Sequence, residues 1–102
     1  MTTHIFSPEN RCVSEGRNLR IMFDYARRLG GVTRVTVDQL PPGGHWGALV
    51  NVFYVTGHRA CTNFVSYSHA CDWARERSAL SPRVSYWAGC EVTCTPHAGA
   101  AQ

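Results

Sequence analysis

Lysine is absent from this 102-residue sequence, and all ten of its basic residues are arginines. Because arginine is encoded largely by GC-rich codons, genome composition explains this bias more readily than selection for guanidinium chemistry does. The formal net charge is only +3. A dedicated nucleic-acid-binding domain carries a much stronger basic footprint, so the composition does not favour a protein devoted to that role.

The sequence also lacks a long apolar run and a secretory signal. No uninterrupted apolar stretch approaches the roughly 20 residues that span a bilayer. The first residues, MTTHIFSPENR, contain no basic region followed by an apolar one. We therefore expect a cytoplasmic protein with no membrane partner.

A disulfide framework is not expected either. The cysteines are odd in number and irregularly spaced, whereas disulfide-rich secreted domains pair an even set of them. Reduced thiols are the default in a cytosolic chain. The five cysteines are Cys12, Cys61, Cys71, Cys90 and Cys94.

What is present is the composition of one folded domain. Hydrophobic residues make up 44% of the chain and charged residues 17%, which is typical of globular proteins and unlike disordered ones. The length fits a single domain, and the sequence contains no internal repeat. We expect an irregular N-terminal segment at 1–13, one domain at 14–94 and a flexible tail at 95–102.

The clearest helix is predicted at residues 14–31. Its apolar residues recur with the period of one helix face, Ser14 is a plausible N-cap, and Gly30-Gly31 ends the pattern. The opposite face is charged, with Asp24 positioned for ion pairs to arginines one turn away. The arginines of this candidate basic face are Arg17, Arg20, Arg27 and Arg28.

Three strands and a second helix follow. Residues 32–40 alternate like a half-buried strand, and the run Pro41-Pro42-Gly43-Gly44 ends it. Residues 46–55 are apolar on both faces of the pleat, and the turn Thr56-Gly57-His58 leads into a returning strand at 59–67. Ser68 is the predicted N-cap of the second helix, which Pro82 follows. Residues 84–94 alternate again, which predicts a final strand.

The predicted fold is therefore α+β, with the element order α-β-β-β-α-β. Strands joined by short turns pair antiparallel, so we expect an antiparallel sheet of about four strands. Both helices are expected on one face, which gives a two-layer domain.

Large apolar side chains exceed what one such core needs. A two-layer domain leaves one sheet face for water or a partner, and a large exposed apolar patch there indicates an interaction site. A homodimer through the sheet is one solution. Coverage of the face by the N-terminal segment, with Ile5 and Phe6, is the other. The candidate interaction surface consists of Trp46, Val50, Val52, Tyr54 and Trp87.

Metal binding, cofactor binding and catalysis are not predicted. His69-x-Cys71 and Cys90-x-x-x-Cys94-x-x-His97 contain zinc-ligand types, but no Cys-x-x-Cys pair is present. In a strand, Cys90 and Cys94 would lie about 13 Å apart, too far for one zinc ion. Several nucleophiles and histidines occur between His58 and Asp72, but none has a recognised nucleophile context such as G-x-S-x-G.

Two resemblances add to this interpretation. The order of elements over roughly residues 17–80, with Pro42-Gly43-Gly44-His45 before Trp46, resembles double-stranded-RNA-binding domains, which implies their architecture. The residues at the start of the second helix depart from that family, since Ser68-His69-Ala70-Cys71-Asp72 lacks the basic cluster that contacts phosphates.

The second resemblance is to small uncharacterised accessory proteins of bacteria and their mobile elements. It is carried by Arg17-Asn18-Leu19-Arg20, by Asp24-Tyr25-Ala26-Arg27-Arg28, and by Phe64-x-Ser66-Tyr67 with Cys71-Asp72-Trp73. It implies an accessory role and supplies no site. We expect a non-enzymatic protein that binds a protein partner or itself, and alternatively a nucleic-acid-binding module that uses the basic face of the first helix.

Overall fold

The computed structural model describes residues 15–98, with side chains from Leu19 onward. The elements are α1 (Glu15–Arg28), β1 (Val32–Gln39), β2 (Ala48–Tyr54), β3 (Arg59–Phe64), α2 (Tyr67–Ala79) and β4 (Glu91–Thr95). The α+β class and the predicted order of elements are confirmed. The predicted N-terminal segment and the last four residues of the predicted tail lie outside the described residues.

The sheet is mixed rather than wholly antiparallel. Its strand order is β3-β2-β1-β4. The β1–β2 and β2–β3 pairs are antiparallel, as the short connections predict, whereas β4 pairs parallel to β1. The reason is the connection through α2, which carries the chain from one edge of the sheet to the other and returns it to the end at which β1 begins.

Both helices pack on one face of this sheet, as predicted. The inner face of β2 is fully buried, because Val50 and Val52 have no exposed surface. Helix α1 meets this face where the Tyr54 hydroxyl donates a hydrogen bond to the carbonyl oxygen of Met22, at 3.2 Å. Helix α2 meets it through Trp73, whose ring centroid lies 5.2 Å from that of Phe64 on β3.

This packing corrects the predicted interaction surface. Val50, Val52, Tyr54 and Trp87 are core residues, so they do not form an exposed apolar face. The pleat face of β2 that turns outward is the other one, with Leu49, Asn51 and Phe53, all half-buried. Asn51 interrupts the apolar pattern on that face, and polar interruption is what a face in contact with water tolerates. Trp46 is half-buried and precedes β2.

The predicted strand at 84–94 is also shorter than expected. Residues 82–89 form turns, in which the N–H groups of Val84 and Ser85 both donate to the carbonyl oxygen of Ser81. Gly89 has a φ of 77°, in the left-handed region that favours glycine. The turns place Trp87 in the core, with its ring centroid 5.4 Å from those of both Phe23 and Trp73.

The N-cap of helix α2 lies two residues before the predicted cap. Ser66 is the N-cap, and its hydroxyl accepts a hydrogen bond from the N–H of His69 at 3.2 Å. The predicted cap, Ser68, is exposed within the first turn. The alternating pattern runs on through Val65 to Tyr67, which is why the sequence predicts a longer third strand.

Candidate interaction surfaces

Three of the exposed large apolar side chains belong to segments at one end of the sheet. Val84 is 70% exposed, and Val55 and Tyr86 are each 54% exposed. These three residues come from two separate connections, the β2–β3 turn and the segment between α2 and β4. We call them the end patch.

Backbone hydrogen bonds hold the two parts of the end patch at the start of β1. The N–H of Val55 donates to the carbonyl oxygen of Gly31 at 3.0 Å, and the N–H of Val32 donates to that of Tyr86, also at 3.0 Å. A Cβ atom added at Gly30 would lie 3.1 Å from Cγ2 of Val55, so the valine side chain packs against this glycine. The patch is therefore fixed by the fold.

The outer sheet face is a second surface, and it is polar. Cross-strand pairing places Glu91, Arg34, Phe53 and Arg59 in one row across all four strands. The guanidinium carbon of Arg34 lies 4.1 Å from the ring centroid of Phe53, a cation–π contact. Opposite charges share this face, so it does not present a field of one sign.

The predicted basic face lies on α1, but its charge is partly neutralised. Arg20, Arg27 and Arg28 are exposed. Asp24 pairs with Arg27 at 2.8 Å and with Arg28 at 3.1 Å. Arg17 lies in the first turn of α1, and its side chain is outside the described part of the chain.

A groove of about 420 Å³ opens beside the β1–β2 connection. The loop from Pro41 to Gly47 forms one wall. The ring centroids of His45 and Trp46 lie 4.6 Å apart in an edge-to-face contact. No carboxylate is among the residues that line the groove. Its lining residues are Gln39, Leu40, Pro41, Pro42, Gly44, His45, Trp46, Gly47, Val65 and Tyr67.

The cysteines and histidines that the sequence analysis considered as zinc-ligand types lie on or beside two elements, α2 and β4. Within residues 15–98, no group of three or more His, Cys, Asp or Glu side chains could hold a metal ion. Cys90 is buried beneath Ser78, whose hydroxyl donates to the Cys90 carbonyl oxygen at 2.7 Å, and burial raises the pKa of its thiol. His97 donates its backbone N–H to the side-chain oxygen of Gln39 at 3.0 Å.

Two cysteines that are distant in sequence lie on elements that share the hydrophobic core. Cys71 on α2 and Cys94 on β4 are 23 positions apart, and Cys94 packs against the hydrophobic cluster that includes Cys71. Tyr67 lies one turn before Cys71 on α2. Burial, together with the Cys71 neighbour, raises the pKa of Cys94 to about 11 and that of Tyr67 to about 12.

No family model, no curated protein and no solved structure matches the chain. In the part of the chain that the structure describes, no helix is both long and apolar enough to cross a membrane.

Proposed function

We propose that this chain is a non-enzymatic accessory protein of the cytoplasm that acts by binding protein, and that its first partner is a second copy of itself. The observation that carries the proposal is the end patch, whose three large apolar side chains are exposed and belong to two segments that are hydrogen-bonded to Gly31 and Val32. The cysteines of the described residues are free thiols, in keeping with a reducing compartment.

The chemistry of the end patch favours a protein surface over other partners. Val55, Val84 and Tyr86 carry no charge, so a second copy of the patch is not repelled by the first. Two-fold dimers are the commonest soluble oligomers, and in them each side chain is used twice. Burying apolar surface contributes roughly 25 cal/mol per Å², and a patch of three side chains therefore supports a weak dimer rather than an obligate one.

The test is the molar mass of the native protein by light scattering across a range of micromolar concentrations. We expect the mass to rise with concentration from 11.3 kDa towards twice that value. Val84→Ser should weaken the dimer by about 10- to 100-fold in Kd, because the loss counts on both subunits.

Val65→Ser is the matched control. Val65 is 59% exposed, close to the exposure of Val84, but it follows β3 at the opposite end of the sheet. We expect it to leave the dimerisation constant unchanged. A wild-type mass that stays at that of one chain at every concentration, or an equal loss from both variants, would contradict the proposal.

Nucleic-acid binding is the alternative, and the exposed arginines of α1 favour it. With Asp24 subtracted from Arg20, Arg27 and Arg28, this part of the helix keeps a charge of +2. If the alternative holds, affinity for duplex RNA or DNA falls steeply with salt, and Arg20→Ala with Arg27→Ala weakens binding equally for all sequences. We expect no measurable binding even at low salt, because Asp24 pairs with two of the three arginines.

A further inference from the structure

Strand β4 forms one edge of the sheet, where β1 is its only neighbour among the described strands. Its exposure alternates along its whole length. Glu91, Thr93 and Thr95 are exposed, whereas Val92 and Cys94 are half-buried. Among the backbone hydrogen bonds that residues 15–98 make outside their helices and strands, none involves β4. Its N–H and C=O groups that point away from β1 are therefore open to a further strand.

The opposite edge, β3, is not open in this way. Ala60, Cys61 and Thr62 are consecutive in β3 and all buried. Because successive residues of a strand point to opposite faces of the sheet, three buried neighbours mean that both faces of β3 are covered. Strand β4 also has no proline and no bulge in its pairing with β1, two features with which natural proteins protect an exposed edge.

We propose that β4 pairs antiparallel with β4 of a second copy, across a two-fold axis at Thr93, and joins the two four-stranded sheets into one. This surface is separate from the end patch, and the proposal does not depend on the dimer that the end patch forms. Adding a strand to an open sheet edge is a common mode of recognition between proteins.

The sequence of β4 is complementary to itself in this register. On the outer face, Thr93 lies opposite Thr93 of the second copy, and Glu91 lies opposite Thr95, so no two like charges face each other directly. On the helix face, Val92 lies opposite Cys94. Both are partly buried residues that pack against the core, and the pairing removes more of their apolar surface from water. An axis at Glu91 instead would set two carboxylates against each other.

The backbone supplies most of this contact. The N–H and C=O groups of alternate residues point to the same edge of a strand, so two five-residue strands form about four to six hydrogen bonds. Little apolar surface is buried, while association costs translational and rotational freedom. We therefore expect a dissociation constant on the order of hundreds of micromolar, above the range in which the end patch is tested.

The test places charges at Thr93, which the two-fold axis brings face to face. Thr93→Asp and Thr93→Lys are each made in the Val84→Ser background, which weakens the end patch, and association is measured by sedimentation equilibrium. We expect Val84→Ser alone to dimerise, and each added charge to lower the association constant by about 10-fold, because like charges then face each other. An equimolar mixture of the two variants should restore association, and native mass spectrometry should identify the product as the mixed dimer.

Ser68→Asp and Ser68→Lys in the same background are the matched control. Ser68 is exposed in the first turn of α2, the turn that follows β3 at the far edge of the sheet. We expect neither these variants nor their mixture to change the association constant. In the wild-type protein, which needs no variant to fold, amide hydrogen exchange of residues 91–95 should slow as the protein concentration rises, and that of β3 should not.

Four results would overturn the proposal. They are a Val84→Ser protein that stays a single chain up to about 1 mM, several times the expected dissociation constant, an association constant that charges at Thr93 leave unchanged, a mixture of the charged variants that associates no more tightly than either alone, and exchange of residues 91–95 that is independent of concentration. If Val84→Ser and the wild-type protein associate equally, the end patch fails as an interface while the pairing of β4 stands.

Discussion

A Trp87→Ala variant is expected to lose about 3–5 kcal/mol of unfolding free energy, the usual cost of deleting a large aromatic side chain from a core. Trp87 is 3% exposed and lies against Phe23 and Trp73. These two rings belong to α1 and α2, so the indole joins both helices to the segment before β4. Small domains are stable by only about 5–15 kcal/mol, so the variant should be close to unfolding at 37 °C.

Tyr86→Ala is the matched comparison, because it removes the neighbouring aromatic side chain, which is half exposed. We expect a loss below about 1 kcal/mol. Urea unfolding followed by tryptophan fluorescence and by circular dichroism measures both variants. Two protein concentrations separate any contribution from self-association. If Tyr86→Ala lost more unfolding free energy than Trp87→Ala, the result would contradict the structure and favour the strand that alternation predicts at 84–94.

The contrast between these two neighbours shows where sequence patterns stop being informative. Alternation places Tyr86 inward and Trp87 outward, and the structure reverses this because residues 82–89 turn instead of extending. The turn signals in this segment are Ser81, which accepts two backbone hydrogen bonds, and Gly89. They are weaker signals in the sequence than the run Pro41 to Gly44 before β2. A two-residue period is meaningful only where a neighbouring strand enforces it, and β4 pairs only over Glu91–Thr95.

Local signals were sufficient for the rest of the element order. Helix α1 is specified by its apolar period and by Gly30-Gly31, both with positive φ, and β2 by its apolar run between Gly47 and Gly57. The parallel placement of β4 is not local. It depends on the direction in which α2 crosses the sheet. The length of the helix does not reveal which edge of the sheet the next strand joins.

The candidate surface was harder to predict than the fold. Strand β2 is apolar on both faces, so composition could not say which face the helices cover. The structure resolves this through Asn51, which shares the outer face with Arg34 and Arg59 of the neighbouring strands. The end patch escaped prediction because Val55 and Tyr86 are distant in sequence and meet only through their hydrogen bonds to the Gly31–Val32 segment.

Gly47→Ala is expected to destabilise the fold by about 3 kcal/mol, at the upper end of the usual cost of overpacking. Gly47 lies just before β2 and is bonded on both sides. Its N–H donates to the carbonyl oxygen of Phe64 and its own carbonyl accepts from the N–H of Leu40, both at 2.9 Å. An added Cβ would overlap the carbonyl oxygen of Val65. Because that atom belongs to the backbone, it cannot rotate away as a side chain can.

Gly44→Ala is the matched control within the same loop. A Cβ at Gly44 would have no atom within 4 Å, and its φ is not positive. We expect this variant to be neutral or more stable by up to about 1 kcal/mol, because alanine reduces the conformational freedom of the unfolded chain. Urea unfolding of both variants decides the matter, with an unchanged m-value showing that stability alone has changed. Equal stability of the two variants would contradict the prediction. It would mean that the backbone of Gly47 is not held between Leu40 and Phe64, and that this wall of the groove has a different conformation.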